Sequence, residues 1–114
     1  MPVNAASKSI SLPKDIAEHH YVQFHVFSRL VASSLAEINE HLKEHLQYMG
    51  ILKARGVLPI SGPFFTEHGE NTGNGFYVLR VESIDEARRI AADDPLHKLG
   101  VRTATIEPWL QVVD

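Results

Sequence analysis

The chain of 114 residues contains no cysteine. That excludes disulfides, thiolate nucleophiles, Cys-ligated zinc and iron–sulfur clusters, and it fits a reducing cytoplasm. Basic charge is also short, with 11 Lys+Arg against 14 Asp+Glu and a formal net charge of -3. No basic stripe exists to track a phosphate backbone, so no nucleic-acid partner is expected. Runs of about 18 apolar residues are lacking, so no membrane span is expected. Met1 to Lys14 has no apolar core segment, and no signal peptide is read there. What remains is 44% hydrophobic and 22% charged, the balance of one ordinary globular domain with a core of its own. Seven histidines are many for this length.

Residues 1–18 are polar and mixed and read as an N-terminal extension, with Ile10 and Leu12 able to dock on the body. The domain proper is placed at 19–114. From His20 to Phe27, Val22, Phe24 and Val26 alternate with Tyr21, Gln23, His25 and Phe27, the period of a strand. Ser33 or Ser34 caps a helix running to about Arg55, with Gly56 as its stop and an apolar stripe at Leu35, Ile38, Leu42, Leu46, Met49 and Leu52. Val57–Ser61 reads as a short strand closed by Gly62-Pro63, and Thr66–Gly75 as a glycine-rich loop. Phe76–Glu82 is a strand with Phe76, Val78 and Arg80 on one face and Tyr77, Leu79 and Val81 on the other. Ser83 and Glu86 form a capping box for a second helix that Pro95 ends near Asp94. Thr103–Val112 is the last strand, and Pro108 within it suggests an edge or a bulge.

The order βαββαβ predicts an α+β, ferredoxin-like fold: a four-stranded antiparallel sheet with both helices on one face. The first and third strands are apolar on both faces, so the second face calls for a cover of its own. The economical cover is a second copy of the chain, a homodimer packed sheet against sheet.

Three spots carry possible chemistry. His45 falls inside the apolar stripe of the long helix and His41 sits at its edge. A lone histidine on such a stripe is more often a satisfied core residue than a functional one. His41 and His45, four apart, also suit two metal ligands, completed by His25 or His97, but Glu44 follows Lys43 rather than the first histidine, and no metal is assigned. Asp94, ahead of Pro95 at a helix end, is either a turn former or a carboxylate aimed between helix and sheet, able to fix the tautomer of a histidine that moves protons. Gly62-Pro63-Phe64-Phe65 is either a strand-ending turn or a ligand wall. The glycines of Gly69–Gly75 do not open a helix after a strand, and no Gly-x-Ser-x-Gly motif occurs, so neither a dinucleotide fingerprint nor a nucleophile elbow is present.

Taken in order and spacing, residues 20–113 resemble the YciI-like (YCII-related) family. Its helix histidine is followed by a glycine 11 residues on and a Gly-Pro pair 17 residues on; His45, Gly56 and Gly62-Pro63 keep that register and His41 does not. Ser83-Ile84-Asp85-Glu86-Ala87, Asp94-Pro95, Gly100 and Pro108-Trp109 match the later pieces. The resemblance implies a dimeric α+β barrel with an active-site pair carried over as His45 and Asp94. It also implies proton-transfer chemistry on small cyclic compounds, as in chlorohydroxyhydroquinone dehydrochlorinases and the similar muconolactone isomerases. Family members often carry a basic residue about one turn before the histidine, where this chain has Leu42. The resulting expectation is a lyase or isomerase that needs no cofactor. His45 acts as general acid/base, Asp94 orients it, and His25, Gly62, Phe64 and Trp109 line the pocket of a small cyclic ligand. The alternative is a dimeric module that binds a ligand or a protein without catalysis, in which His45 and Asp94 pair for the fold alone.

Overall fold

The computed structural model describes residues 12–14, 22–31, 33 and 35–112. The extension at 1–18, apart from 12–14, and the cap expected at Ser34 lie outside them. The elements are β1 (Val22–Leu30), α1 (Leu35–Ala54), β2 (Ile60–Phe65), β3 (Asn71–Leu79), α2 (Ile84–Asp93), a single turn α3 (Pro95–Lys98) and β4 (Arg102–Leu110). The four strands form one antiparallel sheet in the order β2-β3-β1-β4. Among the described residues, no helix is long and apolar enough to cross a membrane.

Alternation along the strands separates two faces. Phe24, Val26, Tyr77 and Leu79 are inward and buried, and they meet Met49 and Leu52 of α1 and Ala87, Ile90 and Ala91 of α2 in the main core. Ile38, Leu96 and Val101 close a smaller core at one end, with Leu30 packed against it. On the outer face the rings of Phe27, His25 and Phe64 gather round Phe76, with His25 also 4.4 Å from Trp109 between ring centroids. An outer face this aromatic is what the two-sided apolar patterning anticipates.

Several boundaries move. β1 runs on to Leu30 because it pairs along the whole of β4, Leu30 opposite Arg102. Gly62-Pro63 does not close a strand; it lies inside β2, which runs to Phe65 with an irregularity between Pro63 and Phe65. An edge strand tolerates a proline that has no N–H to donate. β4 is the other edge and carries Pro108. The expected glycine loop is mostly strand, since the hairpin turn occupies only Thr66–Glu70, closed by Thr66 N–H to the Glu70 carbonyl, and β3 starts at Asn71. In α1, Leu42 and Leu46 are exposed, at 36% and 58%, while Ile38, His45, Met49 and Leu52 are buried. At 100° per residue Leu42 and Leu46 lie about 40° and 80° round the helix from Ile38, so the buried row is centred on His45 instead.

The start of α2 is as the capping box requires: the Ser83 hydroxyl accepts the Glu86 N–H at 3.1 Å. Replacing Ser83 with Ala removes that partner, and thermal or denaturant unfolding is expected to report a loss of about 1 kcal/mol. An unchanged midpoint would show that the cap contributes nothing to stability.

Candidate functional site

The site is built at the break between α2 and α3. Pro95 disfavours helical backbone at Asp94, and Asp94 takes φ -59 and ψ 123. It thereby caps two helices at once: its N–H reaches the Ala91 carbonyl, and its carboxylate accepts the Leu96 N–H at 3.0 Å. The same turn drives the side chain into the interior, where it is fully buried.

His45 comes from the centre of the buried row of α1. Its Nδ1 lies 2.8 Å from Asp94 Oδ1, and the Tyr77 hydroxyl, from the inner face of β3, donates to Oδ2 at 3.2 Å. Burial works against charge on Asp94. The hydrogen bond and positive potential of His45, the potential of His97 and the Leu96 N–H outweigh it, and the carboxyl stays below the usual aspartate range. An ionised carboxylate only accepts, so Nδ1 of His45 carries the proton and donates it. In the neutral ring Nε2 then holds the lone pair. Among the described residues Nε2 has no partner, yet it is not a sealed polar atom. The side chain keeps 11% of its surface exposed. A buried carboxylate holding one edge of an imidazole fixes the tautomer of the ring and leaves the other edge open.

A second histidine stands beside it. His97 Nδ1 lies 2.8 Å from the Ala91 carbonyl, which only accepts, so Nδ1–H is the donor. Nε2 therefore accepts from the Ser28 hydroxyl at 2.6 Å. Burial lowers the pKa of His97 from its ordinary value, against the pull of Asp94, and keeps the ring neutral. Tyr77 is pushed far up by burial, with the Asp94 charge adding to it, so it serves as a permanent donor. Arg102 lies buried on the same face, its Nε donating to the Gly73 carbonyl at 2.8 Å.

The structure thus brings His45 and Asp94 together and leaves His41 aside, its Nδ1 3.6 Å from Glu44. His25, Gly62, Phe64 and Trp109 are not at this spot: by alternation they belong to the outer face, on the far side of the sheet from Tyr77 and Asp94. Within one chain they do not surround His45. Tyr77, Ser28, His97 and Arg102 complete the polar cluster; of these, sequence reasoning gave only His97 a chemical role, as a third ligand for a metal it did not assign. The alternation of β3 did set Tyr77 on one face with Leu79, and Arg102 shares the inward parity of Ala104 and Ile106, a charge where an apolar residue is expected.

Comparison with known proteins bears on the family and the fold. The YCII-related domain matches residues 22–110. The chain belongs to that family. An uncharacterized protein of Bacillus subtilis (strain 168), YjpA, is 36% identical over 70 residues, covering 61% of this chain and 76% of YjpA. Among solved structures, the 5-chloro-2-hydroxyhydroquinone dehydrochlorinase TftG of Burkholderia phenoliruptrix AC1100, in complex with 2,5-dihydroxybenzoquinone, superposes with a TM-score of 0.65 at 23% identity. The match covers 76% of this chain and 92% of TftG. At that identity the likeness concerns the fold.

The electrostatics set the acid response. His97 titrates lower in the fold than in the unfolded chain, so its neutral form contributes stability that is full above pH about 6.5 and lost as pH falls toward the folded value. The Asp94 carboxylate is likewise held low, so its contribution is full above pH about 3.8 and lost as pH falls through the folded value. Denaturant unfolding as a function of pH is expected to fall in these two windows. His97→Gln should flatten the upper one and Asp94→Asn the lower. Unchanged slopes in both variants would contradict the cluster's charge assignment.

Proposed function

We propose that this YCII-related domain is a small-molecule lyase or isomerase that moves protons on a cyclic or aromatic substrate, with His45 as general acid/base and Asp94 as its positioning partner. The observation that carries the reading is the buried Asp94–His45 pair with Nδ1 engaged and Nε2 open. In the forward step the Nε2 lone pair takes a proton from a ring carbon. The C–H electron pair becomes a C=C bond or an enolate, and the Asp94 carboxylate stabilises the imidazolium that results. The proton then returns at another atom of the ring, or a leaving group departs from the neighbouring carbon with its electron pair. Side chains supply all of this chemistry. TftG is a dehydrochlorinase, and its solved complex contains a dihydroxybenzoquinone; the reading extends that class of reaction and of ring to the present chain. The absence of cysteine fits a cytoplasmic setting.

One observation favours a plainer reading. Asp94 also caps α3 and anchors Tyr77, so the pair has work in the fold whether or not the protein is an enzyme. A non-catalytic binding module is the corresponding alternative. The two readings separate on His45. With catalysis, His45→Gln keeps its melting temperature within a few degrees and lowers chloride release or solvent-deuterium uptake on hydroxylated rings by roughly 100-fold or more. With a purely structural pair, its loss costs about 1–3 kcal/mol of stability and no turnover is there to lose. Nitrogen-15 spectra give a direct view of the pair. The Nδ1–H tautomer of His45 is expected in the wild type. It should persist in Asp94→Asn, whose carbonyl can occupy the Oδ1 position while its amide faces Tyr77, and be lost in Asp94→Ala. A tautomer indifferent to Asp94→Ala rules the positioning role out.

The oligomer follows from the outer face. Pro63 and Pro108 sit on the two edge strands and discourage edge-to-edge pairing, which leaves the aromatic face of Phe27, Phe76, Phe64, His25 and Trp109 for a second copy. His25 Nε2 is already sealed there without a partner. Sedimentation is expected to give a homodimer and Phe76→Asp a monomer. A monomeric wild type at micromolar concentration would refute the sheet-to-sheet arrangement.

A further inference from the structure

The least explained group in the interior is Arg102. It is 6% exposed, and the one hydrogen bond it makes, from Nε to the Gly73 carbonyl, uses a single donor of the five a guanidinium carries. Among the described residues no carboxylate lies within ion-pair distance of it. A buried charge with most of its donors idle is costly to a fold, and this fold makes room for it deliberately. The side chain starts on β4, crosses β1 and lies over β3, where the inward positions are Gly73 and Gly75. A methyl group at Gly75 would stand 2.8 Å from Arg102 Nη1. The glycines of this segment therefore serve as a bed, Gly75 for the guanidinium and Gly73 for the side chain of Leu30.

The position matters for the site. Gly75 and Tyr77 are successive inward residues of β3, about 7 Å apart along the strand, and Ser28 lies opposite Gly75 on β1. Arg102 therefore shares one layer with Tyr77, Asp94, His97 and His45, and feels the charge of Asp94. Its Nη atoms are not sealed from solvent. An anion entering beside the Asp94 carboxylate is repelled unless a cation receives it, and Arg102 is the buried cation among the described residues.

We propose that Arg102 is the receptor for an anionic oxygen group of the substrate, a carboxylate or ionised ring hydroxyl, so that the site takes acidic rings rather than neutral ones. The proposal rests on the proton-transfer reading for the identity of the site. The planar fork of a guanidinium suits such oxygen groups better than a point charge does.

The test uses benzoate against benzyl alcohol, the same ring with and without charge. Titration of labelled wild type followed at the Arg102 Nε–H and His45 ring signals is expected to show saturable shifts with benzoate and none with benzyl alcohol. Arg102→Gln should weaken benzoate roughly 10- to 100-fold. Arg102 is buried, so Gly75→Ala, which keeps the charge but displaces the guanidinium, is the second variant and should weaken benzoate as well. Arg102→Lys should recover only part of the affinity. Equal binding of the two probes, no saturable shift, or benzoate affinity unchanged in a folded Arg102→Gln or Gly75→Ala variant would overturn the proposal. His45→Gln separates the two readings. If benzoate depends on Arg102 while turnover ignores His45, the proton-transfer reading alone fails. If turnover depends on His45 while benzoate ignores Arg102, the anion receptor alone fails.

Discussion

A carboxylate with no solvent exposure has to be satisfied from within the protein, and Asp94 is satisfied from three directions. The Leu96 N–H, the His45 ring and the Tyr77 hydroxyl all converge on it. These partners come from α3, α1 and β3, so one side chain ties two helical elements to the sheet. Removing the carboxylate would leave buried donors from three elements without an acceptor, each costing about 1–3 kcal/mol. That concentration of dependence explains why a proline follows Asp94: only a chain break at that point can cap two helices and point the carboxylate inward. The fold and the chemistry therefore share a residue, and a loss of stability on its removal is expected under either role.

Much of the architecture could be read from residue order. Ser83 and Glu86 started a helix where they stood, Gly56 followed the end of α1 with φ 77, and the two-sided apolar pattern of the first and third strands anticipated an aromatic outer face. His45 and Asp94 were singled out, and they are in contact. What stayed hidden was three-dimensional. Gly69 to Gly75 looked like a loop because glycine is the commonest punctuation of loops. Two of those glycines instead lie in a strand beneath the side chains of Leu30 and Arg102, a requirement no local pattern expresses. Leu42 and Leu46 looked like core because they were leucines at helical spacing. The stripe is centred on His45, and periodicity alone does not fix its phase round the helix.

The four expected pocket residues show where local reasoning stops. His25, Gly62, Phe64 and Trp109 are close enough to form a cluster or its rim, yet a strand of alternating residues places them a full sheet thickness from Asp94. Spacing along a strand assigns a residue to one of two faces, but it does not say which face carries the chemistry. The parity did hold a clue. Arg102, Ala104 and Ile106 share a face, as do Gly73, Gly75 and Tyr77, and a charge on the face that meets the helices is the deviation that points to a site.

On the proposed reading the two faces divide the labour, the aromatic side offering a surface for assembly and the helical side holding the charges. Among the described residues the buried charged groups on the helical side are Asp94 and Arg102, set apart rather than paired, with His97 and Tyr77 kept neutral by burial. Proton abstraction at Nε2 turns His45 into a cation next to Asp94 and leaves an anion on the ring. Each new charge then faces a fixed charge of opposite sign. Preorganised groups of this kind favour the charge-separated state over the neutral encounter without having to move. A direct Asp94–Arg102 ion pair would cancel both fields before any substrate arrived, so the separation of the two groups is the feature of this interior that proton-transfer chemistry requires and that a merely stable core does not.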